Sequence, residues 1–223
     1  MSKKMVVFDF DGTLVDAHTQ FVVGLKHFSE ARGLPWDGDK MGAGYTNPAK
    51  FDLGWGVPLE QQTALLRELN EFYFGEITNH KRFLPILFDG AREAIQELAK
   101  DYDLSIVTAR DRKSLQIVLD HYELTPYFPD FRSLCCARDR GYDIKPAPDA
   151  MQCLLRDTGH AVEDSVVIGD TIADIAMANN AGAKSIAALW GVHARDRLAS
   201  EKPTMMLENI RDLPQAVNEL FNQ

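Results

Sequence analysis

Short unbroken apolar runs alternate along this chain with longer stretches whose apolar residues recur every three or four positions. The runs predict strands at Met5–Asp9, Leu104–Thr108, Phe131–Cys135, Ser165–Gly169, Lys184–Ala188 and Thr204–Leu207. The periodic stretches predict helices between them. One opens after Asp89-Gly90 with Ala91, Ala94, Ile95 and Leu98 on one face. A second carries Leu115, Val118, Leu119 and Tyr122. The last carries Leu213, Ala216, Val217, Leu220 and Phe221, with Asp212 placed to cap it and Pro214 tolerated in its first turn. Strands bounded by helices on both sides imply an α/β fold: a Rossmann-like, three-layer core around a parallel sheet.

One segment interrupts the alternation. Between Ala17 and Leu84 no good strand appears. Phe21, Leu25 and Phe28 line one helix, and Leu65, Leu66, Leu69, Phe72 and Tyr73 line another over Leu59–His80. The stretch "MGAGYTNPAKFDLGWGVP" between them is rich in Gly, Pro and aromatics and reads as a loop. A crossover helix needs far fewer residues than this. The segment is therefore expected to be a small helical domain, residues 17–84, inserted after the first strand into a core of residues 1–16 and 85–223. Trp36 and Trp55 are expected to anchor that insert's own core.

The strands end in unusual residues. "MVVFDFDGTLVD" finishes an apolar run with Asp9 and Asp11, which point the same way if the extended backbone persists. "VVIGDTIADI" repeats the device: Asp170 ends a strand and Asp174 follows one helical turn later. Parallel strands put their carboxyl ends on one edge, where open α/β sheets bind ligands. Two carboxylates ~5 Å apart repel by roughly 3 kcal/mol at an effective dielectric of 20, so gathering four calls for a cation. The ligand atoms are hard oxygens, which suits Mg²⁺. The strand "LSIVTARD" ends in Thr108, and "YDIKPAPDA" holds Lys145 on a proline-stiffened loop; both could contact an anion at the same edge. Taken singly each motif has an ordinary explanation as a turn, a cap or a surface loop. Their order after four separate strands does not.

Bulk properties narrow the partners. The net charge of −9 and the lack of any dense Lys/Arg run argue against nucleic acid. No apolar run approaches the ~20 residues that span a bilayer, and Met5 to Phe8 is too short for a secretory leader. Three cysteines, Cys135, Cys136 and Cys153, form no disulfide framework and suggest free thiols. A cytoplasmic protein, monomer or homodimer, is expected. Six histidines without metal-ligand spacing suggest surface roles, although His18 and His193 could approach the cleft mouth.

These motifs together resemble the haloacid dehalogenase superfamily of hydrolases. "DFDGT" is similar to its first motif, Thr108 to its second, Lys145 to its third and "GDTIAD" to its fourth. The helical insert resembles that family's first type of cap. "FDFDGTLVD", "KPAPD" and "AGAKSIAALWG" resemble the phosphoglycolate phosphatase-like branch. The resemblance implies that Asp9 is a nucleophile forming an aspartyl-phosphate. Asp11 would protonate the leaving oxygen and then activate water. Asp9, the Asp11 backbone carbonyl and Asp170 would bind Mg²⁺, with Asp174 supporting them. Thr108 and Lys145 would hold the phosphoryl group, with Gly12, Thr13 and the Ala109 backbone N–H beside it. Many relatives carry Asn where this chain has Ala109; Arg110 comes next and could reach an anionic substrate, as could Lys50 in the cap loop near Tyr45, Thr46 and Asn47. A closing cap would exclude water and select the substrate.

The implied activity is Mg²⁺-dependent hydrolysis of a small phosphorylated metabolite, 2-phosphoglycolate being one instance. Two rivals use the same residues: a phosphosugar mutase of the β-phosphoglucomutase kind, and a non-catalytic regulatory protein on the same fold. A dehalogenase fits less well, because Asp11 is present.

Overall fold

A computed structural model describes residues 3–36, 55, 59–128, 134–136, 141, 143 and 145–222. In chain order, strand β1 (Met5–Phe8) is followed by a two-residue strand β2 (Val15–Asp16), helix α1 (Ala17–Ala31) and helix α2 (Leu59–Gly75), which continues as a π-helical turn over Glu76–His80. Next come a two-residue strand β3 (Ile86–Leu87), α3 (Ala91–Asp101), β4 (Asp103–Thr108), α4 (Arg112–His121), β5 (Leu134–Cys136) and α5 (Asp149–Thr158). The chain ends with β6 (Ser165–Gly169), α6 (Ile172–Ala181), β7 (Lys184–Ala188), α7 (Arg195–Ser200), β8 (Met205–Leu207) and α8 (Leu213–Asn222).

The chain divides into two units, Met1–Asp16 with Leu87–Gln223, and Ala17–Ile86. The first holds a six-stranded parallel sheet in the order β5-β4-β1-β6-β7-β8. From β1 the chain builds outward to β4 and β5, then returns to lay β6 on the other side of β1. The strand order therefore reverses between β1 and β6, the switch point beyond whose carboxyl ends open α/β sheets bind ligands.

The continuous apolar runs are explained by burial on both faces. Met5, Val7, Val107 and Val167 pack against Ala150, Met151 and Leu154 of α5 and Met177 and Ala178 of α6. By alternation Val6, Phe8, Ile106, Val166 and Ile168 face the other way, and all are fully buried. Phe8 meets the edge of Phe128 there, ring centres 6.5 Å apart. Each such side chain contributes about 1.5–3 kcal/mol relative to exposure. The second unit has a separate core: Leu25, Phe28, Trp55 and Leu69 are buried together, Trp36 packs against them, and the Trp55 indole donates to Ser29 Oγ at 2.8 Å.

Several boundaries differ from expectation, β1 and β4 by a single residue each. β5 is described over Leu134–Cys136, and residues 131–133 of the expected strand lie outside the described residues. β8 starts at Met205 because the Thr204 hydroxyl oxygen accepts from Ser185 N–H at 3.0 Å, taking a ladder position with its side chain. Asp212 does not cap the last helix. A 3₁₀ turn over Ile210–Asp212 runs into α8, and Asn209 caps that turn by accepting from Arg211 N–H at 3.0 Å. The two-residue strands β2 and β3 were not anticipated, since two residues carry no readable periodicity.

Candidate active site

The β1–β6 register pairs Phe8 with Ile168, and Asp9 N–H continues the ladder by donating to Ile168 O at 2.8 Å. Asp9 is thereby held at the tip of β1, level with the end of β6, where Asp170 follows Gly169. The chain then turns sharply at Gly12, whose φ of +95° lies in the left-handed region. A Cβ at Gly12 would stand 2.3 Å from Asp170 Oδ2, so this position also requires the absence of a side chain. Gly191 presses on the same residue from another loop: its Cβ would meet Asp170 Cβ at 2.2 Å.

Asp170 is fully buried and held at both oxygens. Oδ1 accepts from the Thr13 hydroxyl at 2.9 Å, and Oδ2 from Val192 N–H at 2.9 Å. Asp174 sits in the first turn of α6 in a reciprocal cap. Its Oδ2 accepts from Thr171 N–H at 3.0 Å and from the Thr171 hydroxyl at 2.6 Å, while Asp174 N–H approaches Thr171 Oγ1 at 3.4 Å. Lys145 joins the two acidic motifs. Its ammonium donates to Asp9 Oδ1 at 2.5 Å and to Asp174 Oδ1 at 2.7 Å. The loop carrying it is tied down by Asn180, whose amide donates to Pro146 O at 2.9 Å.

Oxygens of Asp9, Asp170 and Asp174 all lie within 4.8 Å of one another. Burial lifts the Asp9 carboxyl well above its ordinary range, against the pull of Lys145 and with added repulsion from Asp174 and Asp170. Asp170 is pushed up to about 7 by burial and by Asp174, although Val192 and Thr13 oppose the rise. Burial alone would lower the Lys145 ammonium, but Asp174 and Asp9 outweigh it and the net shift is upward. One ammonium thus fails to neutralise three buried carboxylates. The charge deficit, the all-oxygen donor set and the spacing fit a hard divalent cation.

On the other side of β1, Thr108 ends β4 and is buried, its hydroxyl oxygen accepting from Arg110 N–H at 3.1 Å. Arg110 is also buried, and it grips Asp11. Nε lies 3.2 Å from Asp11 Oδ1 and 3.0 Å from Oδ2, and Nη2 lies 2.6 Å from Oδ1. The geometry is the two-pronged fork of a strong Arg–carboxylate pair.

Several residues expected at the site have specific tasks. Asp9, Asp170, Asp174 and Lys145 come together. Thr13 is fully buried with its hydroxyl on Asp170, so in this structure it steadies a carboxylate instead of facing a phosphate. Arg110 engages Asp11. Lys50, with Tyr45, Thr46 and Asn47, lies outside the described residues. His193 is buried rather than on the surface, its Nδ1 accepting from Ile172 N–H at 3.0 Å at the start of α6. Thr171, Gly191 and Val192 were missed. The Thr-x-x-Asp spacing of "TIAD" is a capping-box signal that points to Thr171. The other two act through backbone, which leaves no chemical signature.

Comparison with known proteins agrees with this geometry. The family model for haloacid dehalogenase-like hydrolases matches residues 6–188. The pyrophosphatase PpaX of Bacillus cereus (strain AH820) is 26% identical over 223 residues, covering 96% of this chain and 95% of that protein. A haloacid dehalogenase-like family hydrolase of Streptococcus pneumoniae superposes with a TM-score of 0.76 at 21% identity, over 98% of both chains. The Bacillus subtilis protein YfnB, solved bound to magnesium, superposes with a TM-score of 0.74 at 22% identity, over 98% of this chain and 100% of that one. A match over most of the chain, with its acidic strand ends gathered as described, makes this protein a member of the haloacid dehalogenase-like hydrolase family.

Proposed function

We propose that this chain is a Mg²⁺-dependent phosphomonoester hydrolase that works through an aspartyl-phosphate on Asp9. The observation that carries the reading is Asp9 itself: a buried carboxylate at a strand tip, held by Lys145, with an oxygen within 4.8 Å of oxygens of Asp170 and Asp174, and two residues from Asp11.

Asp9 attacks phosphorus, forming an acyl-phosphate bond as the bond to the leaving oxygen breaks. Asp11 supplies that oxygen's proton, then takes a proton from the water that attacks the aspartyl-phosphate and frees Asp9. Lys145 fixes the Asp9 rotamer and offsets charge on the transferred group, while Thr108 and the Ala109 N–H line the phosphoryl site. Asp9, the Asp11 carbonyl, Asp170 and Asp174 would hold or support Mg²⁺, which when bound screens the phosphoryl oxygens from these carboxylates. A small metabolite in the cytoplasm is the substrate class. 2-Phosphoglycolate is the first candidate, from the branch the motifs resemble; pyrophosphate, a phosphoanhydride cleaved by the same attack on phosphorus, is the second, from the similarity to the pyrophosphatase PpaX.

Phosphate release over a metabolite panel, with Mg²⁺ and with chelator, tests the reading. Release is expected with Mg²⁺ and lost on chelation or in Asp9→Asn. Undiminished release by Asp9→Asn would overturn it, and sugar-phosphate isomerisation with little free phosphate would favour the mutase.

A further inference from the structure

We propose that Arg110 is the positioning residue for Asp11, holding its carboxylate in a two-pronged fork that sets its orientation toward the leaving oxygen. The inference rests on the roles proposed above for Asp9 and Asp11.

Asp11 lies on the turn after β1, and its side chain keeps a quarter of its surface exposed. A carboxylate in that setting would ordinarily sample several rotamers. Its partner comes from a different strand, 99 residues away, and its side chain is 2% exposed. Arg110 is held along its length: its backbone N–H donates to Thr108 Oγ1, its side chain is buried, and its Cζ lies 5.9 Å from the Phe10 ring centre, within cation–π range. The rigid member of the pair therefore sets the orientation of the mobile one. Oδ1 accepts from Nη2 at 2.6 Å and Oδ2 from Nε at 3.0 Å, with Nε also 3.2 Å from Oδ1, so both oxygens are held and the plane of the carboxylate is set by the guanidinium. The sequence puts Arg110 within reach of an anionic substrate; its fork on Asp11 gives it a role through that residue.

The test is the dependence of kcat/KM on the leaving group, compared between an alkyl phosphate and 4-nitrophenyl phosphate. An alkoxide needs protonation as it departs and nitrophenolate does not, so a misplaced acid penalises only the first. In Asp11→Asn the alkyl phosphate is expected to lose about 10²-fold or more relative to the aryl phosphate. Arg110→Ala is expected to reproduce most of that selective loss, and Arg110→Lys, which keeps the charge without the fork, to fall between it and wild type. The double variant Asp11→Asn/Arg110→Ala is expected to show no greater selectivity than Asp11→Asn. Equal losses for both substrates in Arg110→Ala and Arg110→Lys, with Asp11→Asn still selective, would overturn the inference alone and make Arg110 a phosphate contact or a purely structural group. A non-selective Asp11→Asn would overturn the acid role of Asp11 and the inference with it.

Discussion

Lys145 Nζ lies 2.5 Å from Asp9 Oδ1 although the two residues are 136 positions apart in the chain. The same ammonium reaches Asp174 at 2.7 Å, so one cation joins the first acidic motif to the last. Both carboxylates and the ammonium are largely buried, and burial makes each dependent on the others.

Replacing that ammonium by an apolar chain of similar length leaves both carboxylates buried without their cation, so stability and function should both fall. Lys145→Met is expected to lower kcat by about 10²–10³, the usual loss for one preorganised charge contact. Steady-state kinetics with the same phosphomonoester, on protein whose circular dichroism matches wild type, would check this. A fall of less than threefold would refute it.

The raised carboxyls set a pH dependence for the metal-free protein. Asp170 titrates near 7 when folded against an ordinary 3.8, so between these values the native state holds a proton that the unfolded chain has lost. Stability is then expected to fall as pH rises from about 4 through about 7. Asp9 shifts in the same direction and adds to the effect, whereas Lys145, shifted upward from 10.5, acts only at alkaline pH. Mg²⁺ should reverse the decline, since it stabilises the ionised carboxylates. Thermal melts in chelator and in Mg²⁺ are expected to differ more at pH 8 than at pH 5. An equal difference at both would contradict the assignment.

Gly12 offers a steric test. Gly12→Ala introduces a left-handed non-glycine residue, costing about 1–3 kcal/mol, and drives its methyl into the Asp170 carboxylate. Gly33→Ala is the control: φ is +63° there and nothing lies within 4 Å of the added methyl. Both should be destabilised in urea, Gly12→Ala more so. Only Gly12→Ala should raise the Mg²⁺ concentration needed for half-maximal activity.

Thr171 caps α6 and holds Asp174 at one oxygen. Thr171→Ala is expected to cost about 1 kcal/mol of stability, and Thr171→Ser to recover most of it. Urea unfolding of the two variants would measure this. No difference between Ala and Ser would mean the methyl matters and the hydroxyl does not.

The readable parts of this protein share one property: each is local. Four apolar strand residues before Asp9, and three before Gly169-Asp170, announce both a parallel-sheet strand and a polar strand tip. The pairing of Thr108 with a strand end and of Lys145 with a proline-rich loop is likewise visible in a few consecutive residues. What short windows do not show is set by partners distant in sequence. The Thr13 hydroxyl lies on Asp170, the His193 ring is buried against the first turn of α6, and Asp212 belongs to a 3₁₀ turn capped by Asn209.

Local pattern is enough for the α/β class, the parallel sheet and the identity of the acidic strand ends, because side-chain periodicity and strand termination depend only on neighbouring residues. Which side chains meet is a matter of the folded chain: Lys145 with Asp9 and Asp174, Thr13 with Asp170, and Arg110 with Asp11. Those pairings depend on strand order, and β1 lies between β4 and β6 only because the chain reverses its direction of winding across the sheet. Charge can be counted along a sequence, but whether two charges repel, cancel or orient each other is a matter of ångströms.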